Sequence, residues 1–128
     1  MNQFNAFVFV ALGGLSGSYC RYLVSSVLSR FFSTAFPFGT FAVNILGCLL
    51  IGIFYGLSKE YSWFSNKVSL LLITGFCGGF TTFSSFAYEN INLLQTNSYL
   101  YFALYSILSF SLGIIAVYGG LVLIKIIS

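Results

Sequence analysis

Apolar residues gather along this chain into four long blocks, at roughly 4–28, 38–57, 68–94 and 99–127. Each reaches or passes the roughly 20 residues that a helix needs to cross a bilayer. The pattern predicts an all-α membrane protein forming one domain over residues 1–128, with four transmembrane helices. Residues 29–37 make the first connection, with Arg30 and the chain's single proline, Pro37. Residues 58–67 make the second, where Lys59, Glu60 and Lys67 accompany Tyr61, Trp63 and Phe64 as an interfacial aromatic belt. The third, 95–98, is short and uncharged. Four crossings place both termini on one side.

The third block does not read as an ordinary spanning helix. Gly75-Phe76-Cys77-Gly78-Gly79-Phe80-Thr81-Thr82-Phe83-Ser84-Ser85-Phe86 puts three glycines and two threonines within eight residues, which lowers helix propensity sharply. An interrupted helix survives in hydrocarbon only where protein or a water-filled cavity receives the freed backbone groups. Unwound segments near the midplane bare carbonyls that can hold a cation. We therefore expect the third helix to be broken near its middle, with the break as the functional centre.

Composition narrows the chemistry. Hydrophobic residues make up 59% and charged ones 5%, against roughly 25% charged in soluble domains. A soluble fold of this size has no means of hiding so much apolar surface. The net charge of +3 rests on Arg21, Arg30, Lys59, Lys67 and Lys125 against Glu60 and Glu89. That is not the basic stripe nucleic-acid binding needs. With no His and no Asp, a His-bound metal centre, a Ser-His-Asp triad and a carboxylate pair are disfavoured, and no enzyme activity is expected. Cys20, Cys48 and Cys77 lie in apolar blocks without metal-ligand spacing and read as small buried side chains. The opening Met1-Asn2-Gln3-Phe4 lacks a positive side chain and a following cleavage pattern, so it reads as a retained first helix.

Charge gives orientation only a slight lean. Lys59, Lys67 and Lys125 fall on the side of the termini and Arg30 on the other, which favours cytoplasmic termini. A chain inserting both ways round would be expected to look like this, as would one inserting a single way. Small residues recur at close-packing spacing in Gly13 with Gly17, Gly52 with Gly56 and Gly75 with Gly79. They serve packing within the bundle or between subunits. Four helices hardly enclose a pore alone, and oligomerisation is the natural remedy.

Polar groups inside the spans are the candidate site, because they are costly in lipid and tend to face the interior or a water path. Asn44 shares a helix face with Thr40 and Gly47. It either staples two helices or offers amide N–H groups to an anion. Phe83 and Phe86, three apart, either pack the core or line a dry passage with their positive ring edges. Ser84 and Ser85 add hydroxyl donors between them. Conduction requires binding strong enough to enter and weak enough to leave, which this mixture suits. In the fourth block Tyr105 and Ser109 make a polar track continued by Gly113, with Ser106 and Ser111 beside it, unless these serines bond their own helix. Arg21 either snorkels or stays against carbonyls or a carboxylate. Glu89, the only acidic residue within a span, reads as a vestibule residue, with proton coupling as its other use.

Three motifs in register then resemble a known family. Gly13-Gly14-Leu15-Ser16-Gly17 with Arg21-Tyr22, Pro37-Phe38-Gly39-Thr40-Phe41-Ala42-Val43-Asn44-Ile45-Leu46-Gly47, and the Gly75–Phe86 stretch with Glu89 beyond it are similar to the first-, second- and third-helix signatures of the small fluoride channels called Fluc or CrcB. The resemblance implies an antiparallel, dual-topology homodimer in a prokaryotic cell membrane, with two fluoride pathways. It further implies a structural Na⁺ at the dimer centre, bound by the main-chain carbonyls of Gly78 and Thr81. The pore would take Asn44, Phe83, Phe86, Ser84, Ser85, Ser109 and Tyr105, with Arg21 and Glu89 in structural or vestibule roles. Two positions depart from the family's pattern: Ser85 stands where a threonine is usual, and Gly113 where a second hydroxyl often continues the track.

The function expected is passive export of toxic cytoplasmic fluoride. A proton-coupled exporter of small cationic drugs is the alternative, and it would have to use Glu89. A non-transporting membrane assembly or chaperone subunit would have little use for Asn44 and the polar run at 81–85.

Overall fold

The computed structural model describes residues 1–128, and nearly all of them are helical. The elements are α1 (Gln3–Phe31), α2 (Phe38–Glu60), α3 (Asn66–Ser69), a π-helical segment (Leu70–Cys77), α4 (Gly78–Phe80), α5 (Phe83–Gln95) and α6 (Tyr99–Ile127). From α3 to α5 they follow one another as a single crossing, so four helical stretches are long and apolar enough to cross a membrane. This is a multi-pass membrane protein, as its hydropathy pattern predicts.

Helix ends run past the apolar blocks because polar groups cap them. Asn2 accepts from the Asn5 N–H at 2.8 Å to start α1, and Ser65 caps α3. Arg30, expected in the first connection, instead lies in the last turn of α1. A cation is favoured there by the helix dipole. Lys59 takes the same place in α2. The turn before α6 is made by Asn97, whose φ of 58° is the only positive value outside glycine. Asparagine tolerates that left-handed conformation better than most residues, and its Oδ1 accepts from the Tyr99 hydroxyl at 2.9 Å.

Two close helix pairs make the bundle: α1 lies along the π-helical segment and α4, while α2 lies along α6. Missing side chains let backbones touch in both. A Cβ on Gly17 would collide with the Phe76 carbonyl oxygen, and one on Gly52 with that of Val117. The glycine spacing seen in the sequence is thus used within the chain. Aromatic rings close the end near the first connection, where Phe36 meets Tyr105 at 5.5 Å and Phe41 at 5.5 Å between centroids. Only 18 of 128 residues are buried, so most apolar side chains face outward, toward lipid or another chain.

Candidate functional site: two cavities meeting at Thr82

The third crossing changes character at two residues. Thr81 (φ −89°, ψ 157°) and Thr82 (φ −150°, ψ 114°) are extended, between the end of α4 and the start of α5. The Cys77 carbonyl accepts from both the Thr81 N–H at 3.0 Å and the Thr81 hydroxyl at 2.9 Å. The next N–H, that of Thr82, turns away from the helix and donates to Asn44 Oδ1 at 2.8 Å. Asn44 Nδ2 in turn donates to the Thr82 carbonyl at 3.1 Å. One amide side chain on α2 therefore satisfies both backbone groups of an extended residue, as an apolar setting demands. Arg21 Nε does the same for the Gly79 carbonyl, at 2.9 Å. Thr82 Oγ1 then caps α5 by accepting from the Ser85 N–H at 3.2 Å.

Cavities lie on either side of this junction. One, of about 350 Å³, is lined by Asn44, Cys48, Thr82, Phe83, Phe86 and Ser109 among others. The second, of about 490 Å³, is lined by Arg21, Thr40, Thr82, Ser84, Ser85 and Glu89 among others. Thr82 belongs to both, so the extended residue is the wall they share. The first is bounded by phenyl rings, hydroxyls and an amide. The second brings a guanidinium and a carboxylate to the same opening.

The Phe83 and Phe86 rings are 5.7 Å apart and tilted by 48°, yet their surroundings differ. Phe83 is 72% exposed, whereas Phe86 packs tilted against Tyr105, with ring centroids 4.9 Å apart. Tyr105 is fully buried and lines neither cavity; it shares a helix face with Ser109 but stands behind Phe86. Three buried polar atoms find no partner in the protein: Tyr105 Oη, Ser109 Oγ and Glu89 Oε1. The Thr40 and Tyr105 side chains face the Glu89 carboxyl, and at Oε1 neither reaches hydrogen-bond geometry.

Of the residues singled out in the sequence, Asn44, Phe83, Phe86 and Ser109 meet in the first cavity. Arg21, Ser84, Ser85 and Glu89 meet in the second. Gly78 is exposed on the outer surface of the protomer, and a Cβ there would meet nothing. Thr81 is half-buried and lines the first cavity. Two further residues escaped the sequence reading. Asn90, 7% exposed, donates to the Phe86 carbonyl at 3.1 Å and accepts from Ser106 Oγ at 3.2 Å. Its amide thereby ties α5 to α6; a polar residue one turn beyond Phe86 was the available signal. Cys48, read as buried filler, lines the first cavity. No group of three or more His, Cys, Asp or Glu side chains comes together.

Comparison with known proteins fits this arrangement. Residues 8–121 match the family described as CrcB-like protein, Camphor Resistance (CrcB). A protein of Flavobacterium psychrophilum named fluoride-specific ion channel FluC is 48% identical, covering 91% of this chain and 94% of its own length. Proteins of the same name from Chlorobium phaeobacteroides (47% identical, 97% and 96% covered) and Maridesulfovibrio salexigens (43%, 94% and 96%) are similar over as much. With four apolar crossings and a family match over nearly its whole length, the chain belongs to the CrcB family.

Proposed function

We propose that the protein is a fluoride-selective channel that lets cytoplasmic fluoride leave the cell down its electrochemical gradient. The observation that carries this reading is the pair of cavities sharing Thr82, lined by groups that attract a small anion weakly. The similar proteins named fluoride-specific ion channels support it.

Fluoride enters past Arg21, whose charge offsets that of Glu89, and meets the hydroxyls of Ser84 and Ser85. Beyond Thr82 it sheds water against ring edges at Phe83 and Phe86, where the quadrupole is positive. Asn44 Nδ2 carries two hydrogens and gives only one to Thr82. Its other hydrogen and the unpartnered Ser109 hydroxyl complete the contacts. Tyr105 acts from behind, bracing Phe86. Fluoride costs more to dehydrate than chloride, so exclusion of the larger chloride rests on the size of the passage and not on the strength of its donors. No catalytic cycle is needed, and proton-coupled drug export gains no support from the comparisons.

The pathway is completed by a second copy of the chain. One protomer leaves Phe83 and Phe110 each 72% exposed at the mouth of the first cavity. It also leaves Ser18, Thr74 and Gly78 exposed in the first and third crossings. Hydroxyl and glycine surface is poorly matched to lipid and well matched to close helix contact. The slight charge bias along the chain is compatible with an inverted partner, giving an antiparallel dimer with two pathways. Here the third helix works as a broken helix at the dimer axis.

A sodium ion fits this arrangement. Because Thr82 N–H is diverted to Asn44, it no longer closes a helical turn onto the Gly78 carbonyl. The Thr81 carbonyl follows in extended chain. Main-chain oxygens of Gly78 and Thr81 are therefore the groups that would hold Na⁺, a hard cation suited to oxygen ligands. When bound, it supplies a fixed positive charge that offsets the facing carbonyl dipoles of two broken helices.

Purified protein in liposomes loaded with potassium fluoride tests the function. With valinomycin to carry the counter-charge, fluoride should leave rapidly, with no dependence on a proton gradient. Retention of fluoride, or efflux that follows the proton gradient and stops in Glu89→Gln, would overturn the reading.

A further inference from the structure

Tyr105 backs the Phe86 ring, yet its own hydroxyl has no hydrogen-bond partner in the protein. Ring contacts alone therefore settle where Tyr105 stands. We propose that Phe36, in the connection between α1 and α2, is a positioning residue for the Phe86 ring and acts on it through Tyr105. This role presupposes the channel reading of the first cavity and extends it to a residue that lines neither cavity meeting at Thr82.

The connection is exposed from Phe32 to Ala35, and Phe36 then turns inward, to 8% exposure. Pro37 follows and narrows the backbone conformations open to Phe36. The Phe36 ring meets that of Tyr105 edge-on, with centroids 5.5 Å apart and planes at 70°. On its other side Tyr105 meets Phe86 at 4.9 Å. Phe36, Leu93 and Tyr105 form one buried cluster, and Phe86 packs against it. The backbone of Phe86 is tied separately, because Asn90 Nδ2 donates to its carbonyl at 3.1 Å. Three rings thus run from a surface connection to the passage, and only the last of them lines it.

Packed interiors leave little slack, and neighbours relax only part of the way into the space a lost ring leaves. Without Phe36, Tyr105 gains room to shift, and Phe86 loses the surface that sets the direction of its positive edge. The helix carrying Phe86 keeps its Asn90 hydrogen bond. Loss of Phe36 therefore acts on the ring and not on α5 as a whole.

The experiment is a double-mutant cycle read as fluoride efflux from proteoliposomes, normalised to folded protein. Phe36→Ala should conduct several-fold less than wild type. Added to Phe86→Ile it should cost little more, since the ring it positions is already gone. Added to Phe83→Ile it should cost as much as in wild type. Mere loss of core bulk would lower flux alike in both backgrounds. Phe64, a buried ring of the second connection that packs against Phe54, supplies the control: Phe64→Ala should unfold more readily and keep its flux. Should Phe36→Ala fail to fold, Phe36→Leu carries the same cycle, with a smaller loss that again vanishes in Phe86→Ile. Undiminished flux in the Phe36 variant, equal losses in the two backgrounds, or an equal loss in Phe64→Ala would overturn the proposal. Wild-type protein that conducts no fluoride at all would instead remove the channel reading on which it rests.

Discussion

Asn44 and Thr82 are joined twice: the Thr82 N–H donates to Asn44 Oδ1 at 2.8 Å, and Asn44 Nδ2 donates to the Thr82 carbonyl at 3.1 Å. The side chain copies the pairing that a neighbouring strand would give an extended residue. Asparagine carries its donor and its acceptor on separate atoms at the end of a short stem, so it meets the N–H and the carbonyl of one residue at once. Its value to a channel is that the wall between the two cavities is held in place while one amide hydrogen stays free.

Asn44→Ala removes both partners of Thr82 at once. Each buried backbone group left unpaired costs about 1–3 kcal/mol. We expect a lower thermal midpoint in detergent together with loss of fluoride flux. A stable Asn44→Ala protein with normal flux would show that the pairing is dispensable.

Arg21 is expected to act by hydrogen bonding as well as by charge. Its Nε–H holds the Gly79 carbonyl at 2.9 Å, and a hydrogen bond from a charged group contributes about 1.5–3 kcal/mol. Arg21→Met should destabilise by that order, and Arg21→Lys by less, as read from thermal unfolding in detergent. Equal midpoints for wild type and Arg21→Met would contradict this role.

Two glycines distinguish packing within the protomer from the packing proposed between protomers. Valine at Gly17 would collide with the Phe76 carbonyl oxygen, so Gly17→Val should prevent folding or yield aggregated protein. A Cβ at Gly78 meets nothing inside the protomer. Gly78→Val should therefore give a folded chain that no longer dimerises, as read by single-molecule photobleaching or cross-linking in bilayers. A Gly78→Val dimer of wild-type stability would contradict the proposed interface.

The sequence states some of this architecture openly and hides the rest. Four crossings are legible because a span needs only length and apolarity. The stretch around Thr81 and Thr82 stands out because glycine and threonine weaken a helix wherever they cluster. The π-helical segment Leu70–Cys77 could not be read in this way, because glycine and threonine weaken a helix without saying which backbone form replaces it. The partner of Asn44 could not be read either, since an amide in a span suits a staple and an anion contact alike. It takes part in the first, and one Nδ2 hydrogen is left over. Tyr105 shares the helical face of Ser109 in sequence, but ring packing with Phe36 and Phe86 holds it out of the cavities. Periodicity reports a face, not what stands in front of it.

If Gly78 and Thr81 carbonyls hold sodium, the ion binds the native dimer and not the separated chains. Such a ligand stabilises by about 2.7 kcal/mol at 100 times its dissociation constant. Thermal unfolding in detergent should move upward with Na⁺ and not with K⁺ or N-methylglucamine at equal ionic strength. Identical midpoints in all three would count against the site.

The most direct test of the account replaces the rings that line the passage. Phe83→Ile and Phe86→Ile each keep apolar bulk and remove the aromatic edge. Proteoliposome efflux should fall by roughly tenfold, the equivalent of about 1.4 kcal/mol of added barrier, while each variant stays dimeric and chloride stays excluded. Phe86→Ile should also unfold more readily, because it loses the Tyr105 contact at 4.9 Å, whereas Phe83→Ile should not. Fluoride leaving at the wild-type rate through both variants would contradict a pathway along these rings.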